Sequence, residues 1–334
     1  MPQNLLTEPA AVEPHPSAPA LEFVRPGPVE RSLALVAVIV PFLGLLAATS
    51  MLWGRGFNWL YLGLLLGGYI LTAGGITIGY HRLFTHRSFK TGPLIKGLLA
   101  ILGSMSMQGP VLRWVATHRL HHQHSDDTYD PHSPHAHGRG LVGMLKGIWH
   151  AHIGWFFTPA PANMARYVAD FRDDRVVNIS SKLFIVWVLL GVAIPAAIAY
   201  AVTGTAEGAL LGFLWGGLVR IFLVHHVTWS INSVCHIWGS RPFRSHDESR
   251  NNAIFGILAL GEGWHNTHHA FPTSARHGLR WWEIDLSYFT IRGLALVGLA
   301  SDIRIPSRDR IEAKRRVPGK TAAEIVEAKP GLDD

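Results

Sequence analysis

The sequence predicts an all-α membrane protein: four transmembrane helices in two hairpins, with a helical cytosolic cap rich in histidine. Three observations carry that reading. Charged residues are only 16% of the chain against 48% hydrophobic ones, with 12 tryptophans and a positive mean hydropathy, a balance foreign to ordinary soluble domains. Four runs are almost free of charge and each is long enough for the roughly 20 helical residues that cross a hydrocarbon core. Twenty histidines, several times an ordinary share, fall largely into tight clusters.

Residues 1–31 are rich in proline and carry no basic stretch ahead of an apolar core, so they read as a disordered cytosolic lead-in and not as a signal peptide. The membrane domain then occupies 32–303. Its spans are expected at about 32–53 ("SLALVAVIVPFLGLLAATSMLW"), 56–80, 183–206 and 207–228, the last interrupted by Arg220. The apolar stretches 93–107, 140–157 and 284–300 contain charges or polar faces and read as helices at the membrane surface or in the cap. Residues 304–334 form a polar tail expected to fray. With both termini inside, every Lys and Arg except Arg55 and Arg220 falls on segments facing the cytoplasm, as the positive-inside rule requires. All the histidine clusters then share that side.

In an α-helix positions i, i+3 and i+4 share a face, so His118, His121 and His122 converge, as do His265, His268 and His269. Asn232 and His236 stand one turn apart. His81 and His86 are five apart, a spacing an unbroken α-helix would not align, so the helix is expected to end between them. Imidazole suits zinc, copper, iron or nickel, and the residue type alone does not choose. The number says more: these nine histidines exceed what one ion takes and suffice for two with open positions.

Lone Cys235 excludes an internal disulfide framework and a cysteine-cluster metal site, and it reads as a small buried residue. His124, His132, His135, His137, His150, His152, His225, His226, His246 and His277 read as ordinary polar or interfacial groups. Some would orient ligands, a role equally open to Asp126, Asp130 and Glu262. Arg220 reads either as a functional intramembrane charge or as an arginine snorkelling to the interface. Gly261 and Gly263 suit a tight turn before His265.

The segments "HRLFTHRSFK", "WVATHRLHHQHSDDTYDPHSPH", "NSVCHIWGSRPF" and "GEGWHNTHHAFP" resemble the three histidine boxes and the extra Asn/His box of membrane fatty-acyl desaturases, of the stearoyl-CoA Δ9 type. The match runs in order and with family spacing over about residues 57–300. It implies a catalytic centre of two iron ions held by His81, His86, His118, His121, His122, His236, His265, His268 and His269, with Asn232 fixing a water. It also implies an acyl tunnel lined by Gln108, Trp114, Trp155 and Trp229. The implied reaction is O2-dependent insertion of a cis double bond, at Δ9, into a saturated chain carried on CoA.

One departure bears on the carrier. The animal acyl-CoA enzymes have an Arg-Asp pair in "WxRDHR", where this chain has Ala116 and Thr117 in "WVATHR". An intact membrane lipid is the alternative substrate. Electrons must come from outside, because the chain has no HPGG haem signature, no cluster cysteines and no convincing dinucleotide fingerprint. A ferredoxin-type or haem-type donor with an NAD(P)H reductase is expected to dock on the cap, and no nucleic acid partner is expected. A di-iron hydroxylase would need the same histidines. A metal transporter would instead string its ligands along a mid-membrane pathway.

Overall fold

A hydrocarbon core offers no water to backbone N–H and C=O groups, so an uncharged run of span length must pair them internally, as a helix does. The computed structural model describes residues 22–52 and 58–316, and a long helix covers most of the described part of each run. In chain order the helices are α1 (Pro28–Leu52), α2 (Trp59–Gly74), α3 (Pro93–Ser104), α4 (Val111–His124), α5 (Gly140–His152), α6 (Arg175–Lys182), α7 (Phe184–Thr203), α8 (Ala206–Gly212), α9 (Arg220–Ser233), α10 (Ala253–Leu258), α11 (His265–Ala270), α12 (Leu286–Leu296) and α13 (Arg308–Lys314). Two π-helical stretches matter for the site: Gly75–Thr85 prolongs α2, and Phe213–Val219 joins α8 to α9.

Among the described residues, four continuous helices are long and apolar enough to cross a membrane: Pro28–Leu52, Trp59–Thr85, Phe184–Thr203 and Ala206–His236. The second and fourth bury 50% and 67% of their apolar windows, the first and third only 17% each, so the former are the inner pair and the latter the outer. Helices α3, α5 and α12 occupy the three expected surface stretches, each with exposed apolar residues such as Leu94, Leu141 and Leu296.

Residues 22–31 depart from the expected lead-in. Pro28 opens α1, where its missing N–H costs nothing, and Glu30 adds a favourable charge in the first turn. Just before it, β1 (Phe23–Val24) pairs antiparallel with β2 (Ala160–Pro161). The tail also departs. Ser307 caps α13, and the segment is tied down by Arg244 N donating to Lys314 O at 2.8 Å and Lys314 Nζ donating to Ala270 O at 2.7 Å. A polar helix held by hydrogen bonds has no apolar stripe to announce it. The rest of the lead-in, Arg55 and residues 317–334 lie outside the described residues.

The main core cluster gathers Ile76, Tyr80, Phe84, Leu99, Val111, Val115 and Ile291 around the end of the second span. It anchors the two helices, α2 with its π extension and α4, that carry five of the candidate ligands.

Candidate metal centre

The helix ends at Thr85, between His81 and His86 as expected. Before it ends it widens: His86 N, at the cap of the π-helical stretch, donates to His81 O at 3.1 Å, and the five-residue period sets the two rings edge to face with centroids 4.7 Å apart. On α4 the i, i+3, i+4 pattern puts three imidazoles on one face as expected, but they divide, His118 and His122 joining His268 while His121 joins His236 and His269. Helix α11 has six residues and would not persist alone. Asn251 holds it, accepting from Thr267 N at 3.0 Å and donating to Thr267 Oγ1 at 2.9 Å. Asn266 Oδ1 accepts from Phe243 N at 2.8 Å. The turn before it needs Gly261, at φ +117°, where any Cβ would strike Asp285, and Gly263, which lies against the backbone of Gly256.

Together these elements bring all nine histidines into two adjacent groups. His81, His86, His118, His122 and His268 form one, and His121, His236, His265 and His269 the other, with potential ligand atoms inside each group within 4.8 Å of one another. His122 and His269 stack across the boundary at 4.5 Å. Asn232 is half-buried and lines the adjoining cavity, but it stands outside both groups.

Carboxylates stand beside four of the rings, in hydrogen-bond geometry for His121, His236 and His269. His81 Nδ1 lies 2.7 Å from Glu262 Oε2, His121 Nδ1 lies 3.0 Å from Asp130 Oδ1, and His236 Nδ1 lies 2.8 Å from Asp126 Oδ2. His269 Nδ1 pairs with Asp247 Oδ2. A carboxylate on Nδ1 fixes the proton there and leaves Nε2 with a free lone pair. The Nε2 atoms face inward. Those of His81 and His268 are 3.0 Å apart, His118 and His122 3.1 Å, His122 and His268 2.9 Å, and His236 and His265 3.1 Å. Nε2 of His86, His121 and His269 is buried without a hydrogen-bond partner. Crowded, buried lone pairs of this kind call for a cation, so the donor set fits metal ions in both groups.

Charge agrees with that fit. Burial, reinforced by neighbouring imidazoles, holds His118, His122, His265 and His268 well below the usual histidine range, in the neutral form that ligates. Burial pushes Asp130 up, but the His121 imidazole beside it more than offsets this and leaves its carboxyl well below the ordinary range. Asp126 and Asp247 behave alike beside His236 and His269.

Several participants were not expected from sequence. Arg82, wholly buried, pairs with Glu262 and with Asp285 Oδ1 at 3.0 Å, bracing the carboxylate behind His81. His277 is buried with its ring 4.5 Å from that of His268, and His132 with its ring 4.4 Å from that of His121, so neither is an ordinary surface group. Arg220 does not snorkel. It is 1% exposed, and its bonds run inward. His246 is exposed, as an ordinary polar group should be. Cys235 is buried and unpaired.

A cavity of about 490 Å3 ends on this centre, where His81, His118 and His265 form part of its wall. Gln108, Trp114, Trp155 and Trp229 all line it. Trp114 stacks on His118 at 4.9 Å and donates from Nε1 to Gln108 Oε1 at 3.3 Å. Gln108 Nε2 donates to Thr228 Oγ1 at 2.9 Å. The rest is mainly apolar, and besides Glu262 the charged residues in its wall are Glu30, Arg113 and Lys182.

Four span-length helices and two histidine groups at the end of an apolar cavity define a protein built to sit in a membrane and able to bind metal. Residues 57–288 match the family model described as fatty acid desaturase, and the chain belongs to that family. Its relatives differ in the carrier their names specify. It is 43% identical over 279 residues to a hex-5-enoyl-[acyl-carrier protein] acetylenase of Moorena producens, covering 83% of this chain and 87% of that one. It is 41% identical over 254 residues to an sn-1 stearoyl-lipid 9-desaturase of Synechocystis, covering 75% and 74%. An acyl-CoA C20 Delta5-desaturase of Anemone leveillei is 39% identical over 237 residues, 70% of each chain.

Proposed function

We propose that the protein is an O2-dependent, two-iron desaturase that places a cis double bond at Δ9 of a saturated chain carried on a membrane lipid. The observation that carries it is the apolar cavity ending on two histidine groups whose inward lone pairs are unsatisfied. His81, His86, His118, His122 and His268 would hold one iron, and His121, His236, His265 and His269 the other, with Asn232 holding a water. Bound iron would supply dioxygen activation with external electrons. Overall, the chain loses two hydrogens, and O2, two electrons and two protons complete the balance as two waters.

The protein's own residues position and enclose. Trp114, Trp155 and Trp229 wall the acyl chain, Gln108 and Thr228 fix its course by their mutual bond, and the buried carboxylates hold the imidazoles at one tautomer. Excluding water from the cavity protects the reactive centre from side reactions.

Lipid as carrier is supported by the rim. The cavity reaches Leu33, Ala34 and Ala37 of α1 and Phe184, Ile185 and Val188 of α7, the two outer spans, as a portal from the bilayer would. Ala116 is buried and Thr117 lines the cavity where the acyl-CoA type carries Arg-Asp. Arg113, 3.6 Å from Glu30, and Lys182 suit a single headgroup phosphate. The stearoyl-lipid relative supports both carrier and position. The basic residues of the cap support a cytoplasmic face and docking of an external donor, ferredoxin-type or haem-type.

Labelled stearoyl-phospholipid and stearoyl-CoA, each supplied with O2, NADPH and a donor system to membranes containing the protein, test the proposal. A Δ9 monoene from lipid and little from CoA is expected. A monoene from CoA alone would reverse the carrier, and a hydroxylated chain would replace desaturation by the hydroxylase reading.

A further inference from the structure

Between α3 and α4 the chain crosses the cavity wall through Met105–Pro110, a turn with Met107 at φ +61° and Gly109 at φ +98°. Met107, Gln108, Gly109 and Pro110 all face the cavity. Carbonyls in such a turn have no ladder partners and must find donors elsewhere. Here they find side chains from the spans. Arg220 Nη1 donates to Met105 O at 3.0 Å. His225 Nε2 lies 2.8 Å from Ser106 O and 3.2 Å from Met107 O, and since both are acceptors, Nε2 carries the proton. Tyr80 Oη donates to Gly109 O at 3.3 Å.

Along α9, Arg220, His225 and Thr228 meet residues 105, 106–107 and 108 in matching order, Thr228 accepting from the Gln108 amide. The grip then continues toward the metal centre through Gln108, Trp114 and His118.

This arrangement is costly. Arg220 and His225 are each 1% exposed. Arg220 meets no carboxylate among the described residues; its remaining bonds go to Gly216 O, Gly191 O and Thr72 Oγ1. An intramembrane charge kept in that condition marks function by default, and so does a non-glycine residue held at positive φ. Neither residue belongs to the histidine groups. We propose that Arg220 and His225 are positioning residues of the acyl site. By holding the carbonyls of Met105–Met107 they fix Gln108, and thereby which pair of methylenes lies beside the histidines. The inference rests on the desaturation reading above.

His225→Leu removes the donor, His225→Gln restores an N–H donor, and Arg220→Gln removes the charge. Each variant would be assayed in membranes for double-bond position, for kcat and KM separately, and for iron per chain. In His225→Leu and Arg220→Gln the expected result is wild-type iron with about a tenfold rise in the ratio of displaced to principal isomer, a differential of ~1.4 kcal/mol between competing transition states. His225→Gln should return that ratio toward wild type. A wild-type isomer ratio in His225→Leu, with rate falling only as folded protein falls, would overturn the inference and leave a packing role. Should Arg220→Gln fail to accumulate, His225→Leu decides alone. No unsaturated product from the wild-type protein would instead overturn the function itself.

Discussion

The N–H of His86 donates to the carbonyl of His81 at 3.1 Å, a hydrogen bond that spans five residues where an α-helix spans four. The same wide period recurs at Thr85 Oγ1, which donates to Tyr80 O at 2.8 Å. It turns a spacing that would scatter two ligands on an α-helix into one that brings their rings edge to face.

The first prediction follows from that period. His86→Ala should lower bound metal from about two ions per chain toward about one, with activity falling at least about a hundredfold because the five-histidine group is incomplete. Moving the imidazole one position earlier, as His86→Ala with Thr85→His, should not restore it. Metal analysis of the purified variants checks both, and recovery by the shifted histidine would show that an α-helical period suffices.

The carboxylates behind the rings make the second. Asp130→Asn and Asp247→Asn keep shape but remove the charge that fixes Nδ1–H on His121 and His269. Metal affinity should fall by roughly 10 to 100-fold in each, the range for partners of ligating histidines. Chelator competition measures it. Wild-type affinity in both variants would mean that packing alone orients these rings.

The shared histidine faces of α4 and α11 were legible because their geometry is local, though each triplet divides between the two groups, and the spans were legible because burial in lipid demands long uncharged runs. The resemblance added the assignment of the nine histidines, His236 among them, to a pair of irons. Other features depended on distant partners. Asp247 reaches His269 across 22 residues and Arg82 reaches Asp285 across 203, and nothing near either residue advertises the contact. Arg220 shows in sequence as a charge in a span, but three of its acceptors, Met105 O, Gly191 O and Thr72 Oγ1, come from other segments of the bundle. Helix α13 is invisible to apolar periodicity because hydrogen bonds to Arg244 and Ala270 hold it.

The third prediction concerns Arg82, which sits between Glu262 and Asp285 and also donates to Ala275 O at 3.0 Å and Thr77 O at 3.2 Å. Arg82→Met should destabilise the protein by about 3–5 kcal/mol, since it strands two buried carboxylates. Arg82→Lys should recover part of this but not the forked geometry. Denaturation in detergent micelles, followed by tryptophan fluorescence, would show the order wild type, Lys, Met. Equal midpoints for wild type and Met would remove the brace.

The fourth is a pH dependence of the metal-free protein. Burial lowers His132 to about 3, and it lowers His269 to about 4 despite the opposing pull of Asp247. Both titrate near 6.5 in an unfolded chain. Between those values the unfolded chain binds protons that the folded chain refuses, so stability must rise with pH through the window and be lost as pH falls below about 6.5. His118, His122, His265 and His268, also lowered by burial, add to the same slope. Asp126 and Asp130, held below the carboxylate range, keep their contribution until the pH drops under about 4, the unfolded carboxylate value, so the histidines alone govern the interval from about pH 7 to about pH 5. Metal loading should steepen the acid loss further, because each proton taken by a ligand nitrogen displaces the ion. Denaturation midpoints across that interval, with and without chelator, measure both slopes. A flat metal-free profile would mean that the cluster already carries its protons when folded, and with them a different balance of imidazole and imidazolium around the site.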